Sequence, residues 1–212
     1  MNARTRVKFC GCTSWDDVRA AIETGADAVG MIFAPSPRRI TESAARYVAQ
    51  HLPPFITPVG VFVDPTREDI ARARDIFPDL VVQFSGDEDP AFVTSVDGKN
   101  IKAIHVPPDA TDGDALLRAA GAYPRAITMF DTSVAGKAGG TGVTFAWKAV
   151  AGIAKGRPVI VAGGLTPENV GACVRAVRPF GVDVRSGIES ENRKDEKKMR
   201  AFVRAVREAD AS

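Results

Sequence analysis

Two histidines and three cysteines in 212 residues leave little from which to build a transition-metal site. Cys10 and Cys12 stand one residue apart with no second pair to complete a zinc set, so no metal is expected. So few thiols also exclude a disulfide framework and point to a reducing cytoplasm. No apolar run approaches the ~20 residues of a membrane-spanning helix. The residues before Val7 are polar, so neither a membrane partner nor a secretory leader is expected. Charge of one sign is missing too: 28 Lys and Arg face 26 Asp and Glu, and a net charge of +2 carries no footprint for nucleic acid. The basic run Arg193, Lys194, Lys197, Lys198 and Arg200 is broken by Asp195 and Glu196 and has helical spacing, which predicts a solvated helix face. Neither the Walker order nor GxGxxG is present, which argues against a nucleotide.

What remains is a chain with 45% apolar residues, enough for a full core, in strict alternation of two patterns. Short β-branched runs at 7–10, 27–33, 58–63, 80–84, 101–106, 126–130, 158–162 and 181–185 read as strands. Amphipathic stretches near 15–24, 42–51, 67–76, 89–96, 113–121, 146–154, 168–177 and 195–208 read as helices. Ser14 with Asp17 and Thr66 with Asp69 have capping-box spacing, Thr166-Pro167-Glu168 reads as an N-cap before a first-turn proline, and Gly25 suits a left-handed stop. Each helix returns the chain to the same edge, so the strands pair in parallel. Eight such units in ~200 residues fit the compact end of the (β/α)8 range better than an open doubly wound sheet. No linker rich in serine or proline divides the chain. The expectation is an α/β protein: one TIM barrel spanning 1–212, eight-stranded and parallel, with a shortened fifth helix near Pro107-Pro108.

In such barrels chemistry gathers at the carboxyl ends of the strands. Those ends here carry Cys10, Asp64, Gln83, His105, Asp131, Gly163-Gly164, and Asp183 with Ser186-Gly187, a set too polar to be barrel filler. Gly139-Gly140-Thr141-Gly142, Gly163-Gly164 and Ser186-Gly187 offer backbone N–H groups unobstructed by side chains, as a phosphate requires. Each alone reads as a tight turn; three on one rim point to phosphate. Cys10 and Asp131 are the candidate base and acid. A free thiol, pKa ~8.5, is a few per cent thiolate at neutral pH, and a buried carboxyl can hold a proton to donate. His105 is a candidate second proton carrier. Cys173, among Val170, Val174 and Val177, reads as packing, as do Trp15 and Trp147, and His51 reads as a helix end.

Lys8-Phe9-Cys10-Gly11, Gly25-Ala26-Asp27-Ala28-Val29-Gly30, Ser36-Pro37-Arg38, Val59-Gly60-Val61-Phe62-Val63, Val82-Gln83, Gly139-Gly140-Thr141-Gly142, Ala162-Gly163-Gly164-Leu165-Thr166-Pro167-Glu168-Asn169-Val170 and Gly181-Val182-Asp183-Val184, taken together and in order, resemble the phosphoribosylanthranilate isomerases of tryptophan biosynthesis. The resemblance implies an Amadori rearrangement of N-(5-phosphoribosyl)anthranilate to 1-(2-carboxyphenylamino)-1-deoxyribulose 5-phosphate, with no cofactor. It gives Asp131 the role of acid on the furanose oxygen and Cys10 that of base at C2 of the sugar. Arg38 matches the arginine that meets the anthranilate carboxylate, Gly140, Gly164 and Gly187 fall on the phosphate loops, and Asp183 faces the substrate. Relatives occur as monomers, dimers and fusions, so monomer and homodimer both stay open.

Several positions depart from the family's usual pattern. Ser85 replaces a histidine, Phe84 a leucine, Val143 and Ala146 a lysine and an aspartate, Arg185 a serine and Cys12 a larger apolar residue. Two other functions therefore remain in view. One is an isomerase of another phosphoribosyl substrate, such as the bicyclic aminoimidazole of histidine biosynthesis, whose enzymes use aspartates at both catalytic positions; Cys10 argues against it. The other is a non-catalytic phosphate-binding relative, against which the paired presence of Cys10 and Asp131 speaks.

Overall fold

The computed structural model describes residues 4–107, 112–131 and 147–212. Eight parallel strands close a barrel in chain order: β1 Arg6–Cys10, β2 Ala28–Ile32, β3 Thr57–Phe62, β4 Val81–Phe84, β5 Asn100–His105, β6 Ala126–Asp131, β7 Val159–Ala162 and β8 Gly181–Val184. Every strand lies within one residue of its expected span at each end. Between and after them run α1 Trp15–Thr24, α2 Glu42–His51, α3 Arg67–Arg74, α4 Pro90–Ser95, α5 Gly113–Gly121, α6 Trp147–Ala154, α7 Val170–Val177 and α8 Glu196–Asp210. The fifth helix is not shortened: at nine residues α5 is longer than α3 and α7, and the short one is the six-residue α4.

Side chains alternate across β1 as the pleat requires. Val7 and Phe9 join the main hydrophobic cluster against the helices, where Phe9 meets Phe202 of α8 edge-on at 6.0 Å between ring centroids. Lys8 and Cys10, one position out of phase, turn to the inside of the barrel. Val59, Val81, Ile101, Ala103, Met129, Ile160 and Ala162 fill that interior, so it is a packed core with a mouth rather than a pore. Above it Cys10 packs with Ile32, Ala34 and Val61.

The helix ends follow their sequence signals in most places. Thr66 and Asp69 form a reciprocal capping box at α3, and Gly25 ends α1 in the left-handed region at φ 94°. At α7 the expectation holds in part. Thr166 Oγ1 accepts from Glu168 N at 3.3 Å as a cap should, but the regular helix starts at Val170, not 168, and Asn169 is held by the strand loop: its Oδ1 accepts from Thr166 N at 2.8 Å and its Nδ2 donates to the Gly164 carbonyl at 2.9 Å. A second departure follows β8. Ser186–Ile188 form a single 3-10 turn, then Glu189–Ser190 (β9) and Arg193–Lys194 (β10) pair as an antiparallel hairpin, turned by Glu191 and Asn192 at φ 50° and 62°.

Candidate active site

The register of the barrel sets the site. Cys10 lies beside Gly30 across β1 and β2, Lys8 beside Asp183 across β1 and β8, and His105 beside Asp131 across β5 and β6. A cavity of about 280 Å³ opens at the carboxyl ends of these strands. Cys10, Asp131, Asp183, Gly163, Gly164 and Ser186 all line it, as do His105, Gln83 and Arg185. Of the expected phosphate-loop residues, Gly140, Thr141 and Gly142 lie outside the described residues, as do Val143 and Ala146.

The remaining glycine loops are locked together. Gly163 and Gly164 sit at φ 85° and 62°, backbone that a side chain would strain. Gly187 is beside the cavity rather than on its wall, and its place is dictated by close approach: a Cβ there would stand 1.9 Å from the Leu165 carbonyl oxygen. The turns after β7 and β8 therefore touch backbone to backbone. The chain after β8 enters its 3-10 turn at Ser186, so that rim of the cavity is built from main chain.

Cys10 is 7% exposed and faces a set of charges. Burial is the largest influence on its thiol and pushes it up; Lys8 comes next and opposes, the Asp183 carboxylate adds to the rise, and Lys194 opposes again. The net result is a thiol above its ordinary value. Cys12 and Cys173 are fully buried and pushed up to about 12, Cys173 by burial alone and Cys12 by burial that outweighs the opposing charge of Lys194. These two thiols are inert packing groups.

Lys8, whose neighbours in sequence mark it only as part of the β1 motif, has a definite position in the structure. Its Nζ donates to Asp183 Oδ1 at 2.6 Å, both residues being less than a tenth exposed, and its charge acts on the neighbouring Cys10 sulfur. Burial would lower the ammonium's pKa, but Asp183 and Cys10 more than offset this and leave it raised. Gly30 makes the room: a Cβ there would lie 2.9 Å from Lys8 Nζ and 3.0 Å from Cys10 Sγ.

Lys194 overturns the expectation of a solvated helix face. It belongs to β10, its side chain is 4% exposed, and its Nζ donates to the Cys10 carbonyl at 2.6 Å and to Glu189 Oε1 at 2.9 Å. The left-handed turn at Glu191 and Asn192 reverses the chain and carries this lysine inward. Glu189 in turn binds Arg38 through two bonds, Nε to Oε1 at 3.2 Å and Nη2 to Oε2 at 2.6 Å, and Arg38 Nη2 also donates to Asn192 Oδ1 at 3.2 Å. Burial opposes ionisation of Glu189, yet Lys194 and Arg38 hold its carboxyl below the usual range. Arg38 thus stands at the rim, outside the cavity lining, with a carboxylate already in its fork.

On the opposite wall His105 Nε2–H donates to the Ser85 carbonyl at 3.0 Å. Gln83 Nε2 donates to Ser85 Oγ at 3.1 Å, and its buried Oε1 accepts no hydrogen bond among the described residues. Among those residues no group of three His, Cys, Asp or Glu side chains is arranged to hold a metal ion. The arrangement offers a thiol and a carboxyl at the mouth of one cavity, with a main-chain anion cradle beside them: the parts of a proton-transfer site for a phosphorylated small molecule.

Comparison with known proteins agrees with this geometry. Residues 7–205 match the family described as N-(5'phosphoribosyl)anthranilate (PRA) isomerase. The chain is 45% identical over 208 residues to the N-(5'-phosphoribosyl)anthranilate isomerase of Moorella thermoacetica, covering 97% of this chain and 91% of that one. The crystal structure of phosphoribosyl anthranilate isomerase from Thermotoga maritima superimposes with a TM-score of 0.86 at 34% identity, covering 96% of this chain and 99% of that one. A structure of such an isomerase in complex with reduced 1-(o-carboxyphenylamino)-1-deoxyribulose 5-phosphate superimposes with a TM-score of 0.82 at 32% identity, over the same shares of the two chains.

Proposed function

The chain belongs to the N-(5'-phosphoribosyl)anthranilate isomerase family, and from that premise we propose how its residues carry the family's reaction. The enzyme is an isomerase of tryptophan biosynthesis that converts N-(5-phosphoribosyl)anthranilate to 1-(2-carboxyphenylamino)-1-deoxyribulose 5-phosphate. The observation that carries the assignment of roles is the placing of Cys10 and Asp131 at the ends of β1 and β6, lining one cavity with Gly163, Gly164 and Ser186.

Asp131 gives its proton to the furanose ring oxygen as the bond from that oxygen to C1 breaks. The anthranilate nitrogen supplies the electron pair for the new C1–N double bond, so the ring opens to a protonated Schiff base. The Cys10 thiolate then takes the proton from C2. The electrons of that C–H bond form C1–C2 double bond, and those of the imine return to nitrogen, giving an enolamine. Proton loss from the C2 hydroxyl and proton gain at C1 complete the ketone. Two proton-transfer groups suffice, each of a kind worth ~10²- to 10⁴-fold.

The substrate's ends are held by different parts of the rim. The phosphate lies on Gly163, Gly164, Ser186 and Gly187, with Arg185, on the cavity wall, adding positive charge; the resemblance gives the Gly140-Thr141-Gly142 segment, outside the described residues, a share in the same task. The anthranilate carboxylate takes the fork of Arg38 that Glu189 occupies, and Lys194 remains to neutralise Glu189 when it is displaced. Asp183 reaches the substrate from the floor of the cavity. Three free thiols suit a reducing cytoplasm.

The acid is tested by Asp131→Asn, which keeps the shape and removes the proton. Its kcat should fall ~10²- to 10⁴-fold with substrate affinity retained. A variant keeping more than about a hundredth of the rate would take the role of acid from Asp131, and His105 would inherit it.

A further inference from the structure

The proton transfers above make no use of a buried ion pair in the site, Lys8 and Asp183. A lysine and an aspartate buried together inside a barrel are not there for stability alone, since a well-packed apolar pair is often as good or better. What distinguishes this pair is its third neighbour. Lys8 lies two residues before Cys10 on the same inward face of β1, its ammonium donates to Asp183 Oδ1, and Nζ and the Cys10 Sγ both border the space that Gly30 leaves open, 2.9 and 3.0 Å from where a Cβ there would stand.

We infer that Lys8 is the positioning residue for Cys10: its ammonium, fixed by Asp183, is the resident counter-ion of the Cys10 thiolate. Asp183 then has two opposed effects. It anchors the ammonium, and its own charge repels the thiolate. The other groups facing Cys10 are Lys194 from β10, which reaches its carbonyl, and Asp131, His105 and Arg185 from the cavity wall. The strands on the far side of Cys10 contribute only Gly30, Ile32 and Val61, none of which titrates. Of the positive charges Lys8 acts on the sulfur most strongly and Lys194 next, so removal of Lys8 leaves burial and Asp183 opposed by Lys194.

This rests on Cys10 as the base, but its test does not depend on turnover. Iodoacetamide reacts with thiolate, and Cys10 lines the open cavity while Cys12 and Cys173 are fully buried, so mass-spectrometric peptide mapping reads Cys10 alone. Loss of an opposite charge at this range should slow alkylation of Lys8→Met about tenfold or more at pH 8, and move its pH midpoint up. Lys8→Arg should recover part of the rate. Asp183→Asn should move the midpoint the other way and speed alkylation. The doubly neutral Lys8→Met/Asp183→Asn variant leaves no unpaired buried charge, so it serves if Lys8→Met does not fold, and it should still alkylate more slowly than wild type.

Alkylation of Lys8→Met at the wild-type rate across the pH range would overturn the inference. So would slowing in Asp183→Asn, since a merely structural pair would harm Cys10 from either side, and so would a double variant as fast as wild type. If instead Cys10→Ala kept turning over while the alkylation shifts appeared as expected, the role of base would fail and the counter-ion role would stand.

Discussion

At the scale of the residue, function here is a matter of which side of a strand a group lies on. Cys10 was legible because the alternation of β1 and the carboxyl-end rule place it at the mouth from sequence alone. Lys8, two residues earlier on the same face, was not legible as a functional group. Its partner Asp183 is 175 residues away and reaches it only when β8 closes the barrel on β1. Lys194 is illegible for a similar reason: its charge-rich neighbours have helical spacing, and only the left-handed turn at Glu191 and Asn192 sends it inward to the Cys10 carbonyl. Because the Cys10 thiol lies above its ordinary value and must be deprotonated to act, kcat/KM should rise with pH on that limb and continue rising beyond the normal thiol range of ~8.5. A limb complete by pH 7 would show that some other group is the base. Arg38→Met should raise KM about tenfold or more with kcat little changed, because a charge-assisted bond to carboxylate is lost while Glu189 keeps Lys194. Steady-state kinetics would detect a fall in kcat instead, which would move Arg38 from binding to chemistry.

At the scale of the element, the barrel strands and most helices follow directly from periodicity and caps, while the short pieces after β8 do not. Two-residue strands such as β9 and β10 carry too little pattern to be read, and their reason for existing is tertiary: they carry Glu189 and Lys194 to the rim. The glycine loops were legible as glycine loops, but the contact between them was not. Gly187→Ala should cost about 1–3 kcal/mol, since its Cβ meets a backbone oxygen that cannot move away cheaply, and phosphate affinity should fall with it. Thermal unfolding and inhibition by inorganic phosphate would check both; an unchanged melting point would mean the two turns separate freely.

At the scale of the whole molecule, several carboxylates tie the ring together. Asp27 accepts from Val7 N at 2.9 Å and from Arg4, joining the start of β1 to the turn before β2. Glu88 accepts from Lys102 at 2.6 Å and from the backbone of Asp64 and Gly86, joining the loops after β3 and β4 to β5. Asp210 at the end of α8 accepts from Thr5 N and Oγ1 at 2.9 and 2.7 Å and fastens the last helix to the first strand. Burial opposes ionisation of Asp27, Glu88 and Glu189, but their bonded partners leave all three below the usual carboxylate range. A depressed folded value means stability that is present above the unfolded value of ~4 and is lost as pH falls through the folded one. Melting temperature should hold from pH 8 to about 5 and drop below about 4, and Glu88→Gln should be less stable at pH 7 with a shallower acid fall. An acid fall as steep as wild type's would remove Glu88 from the account.

The most direct test of the whole account is the loss of phosphoribosylanthranilate fluorescence with the substrate generated in place from anthranilate and phosphoribosyl pyrophosphate by the preceding transferase, comparing the wild type with Cys10→Ala. The wild type should consume the substrate, and the folded variant should do so at least ~10²-fold more slowly. Equal rates from both proteins would contradict the assignment of Cys10 as the base at C2.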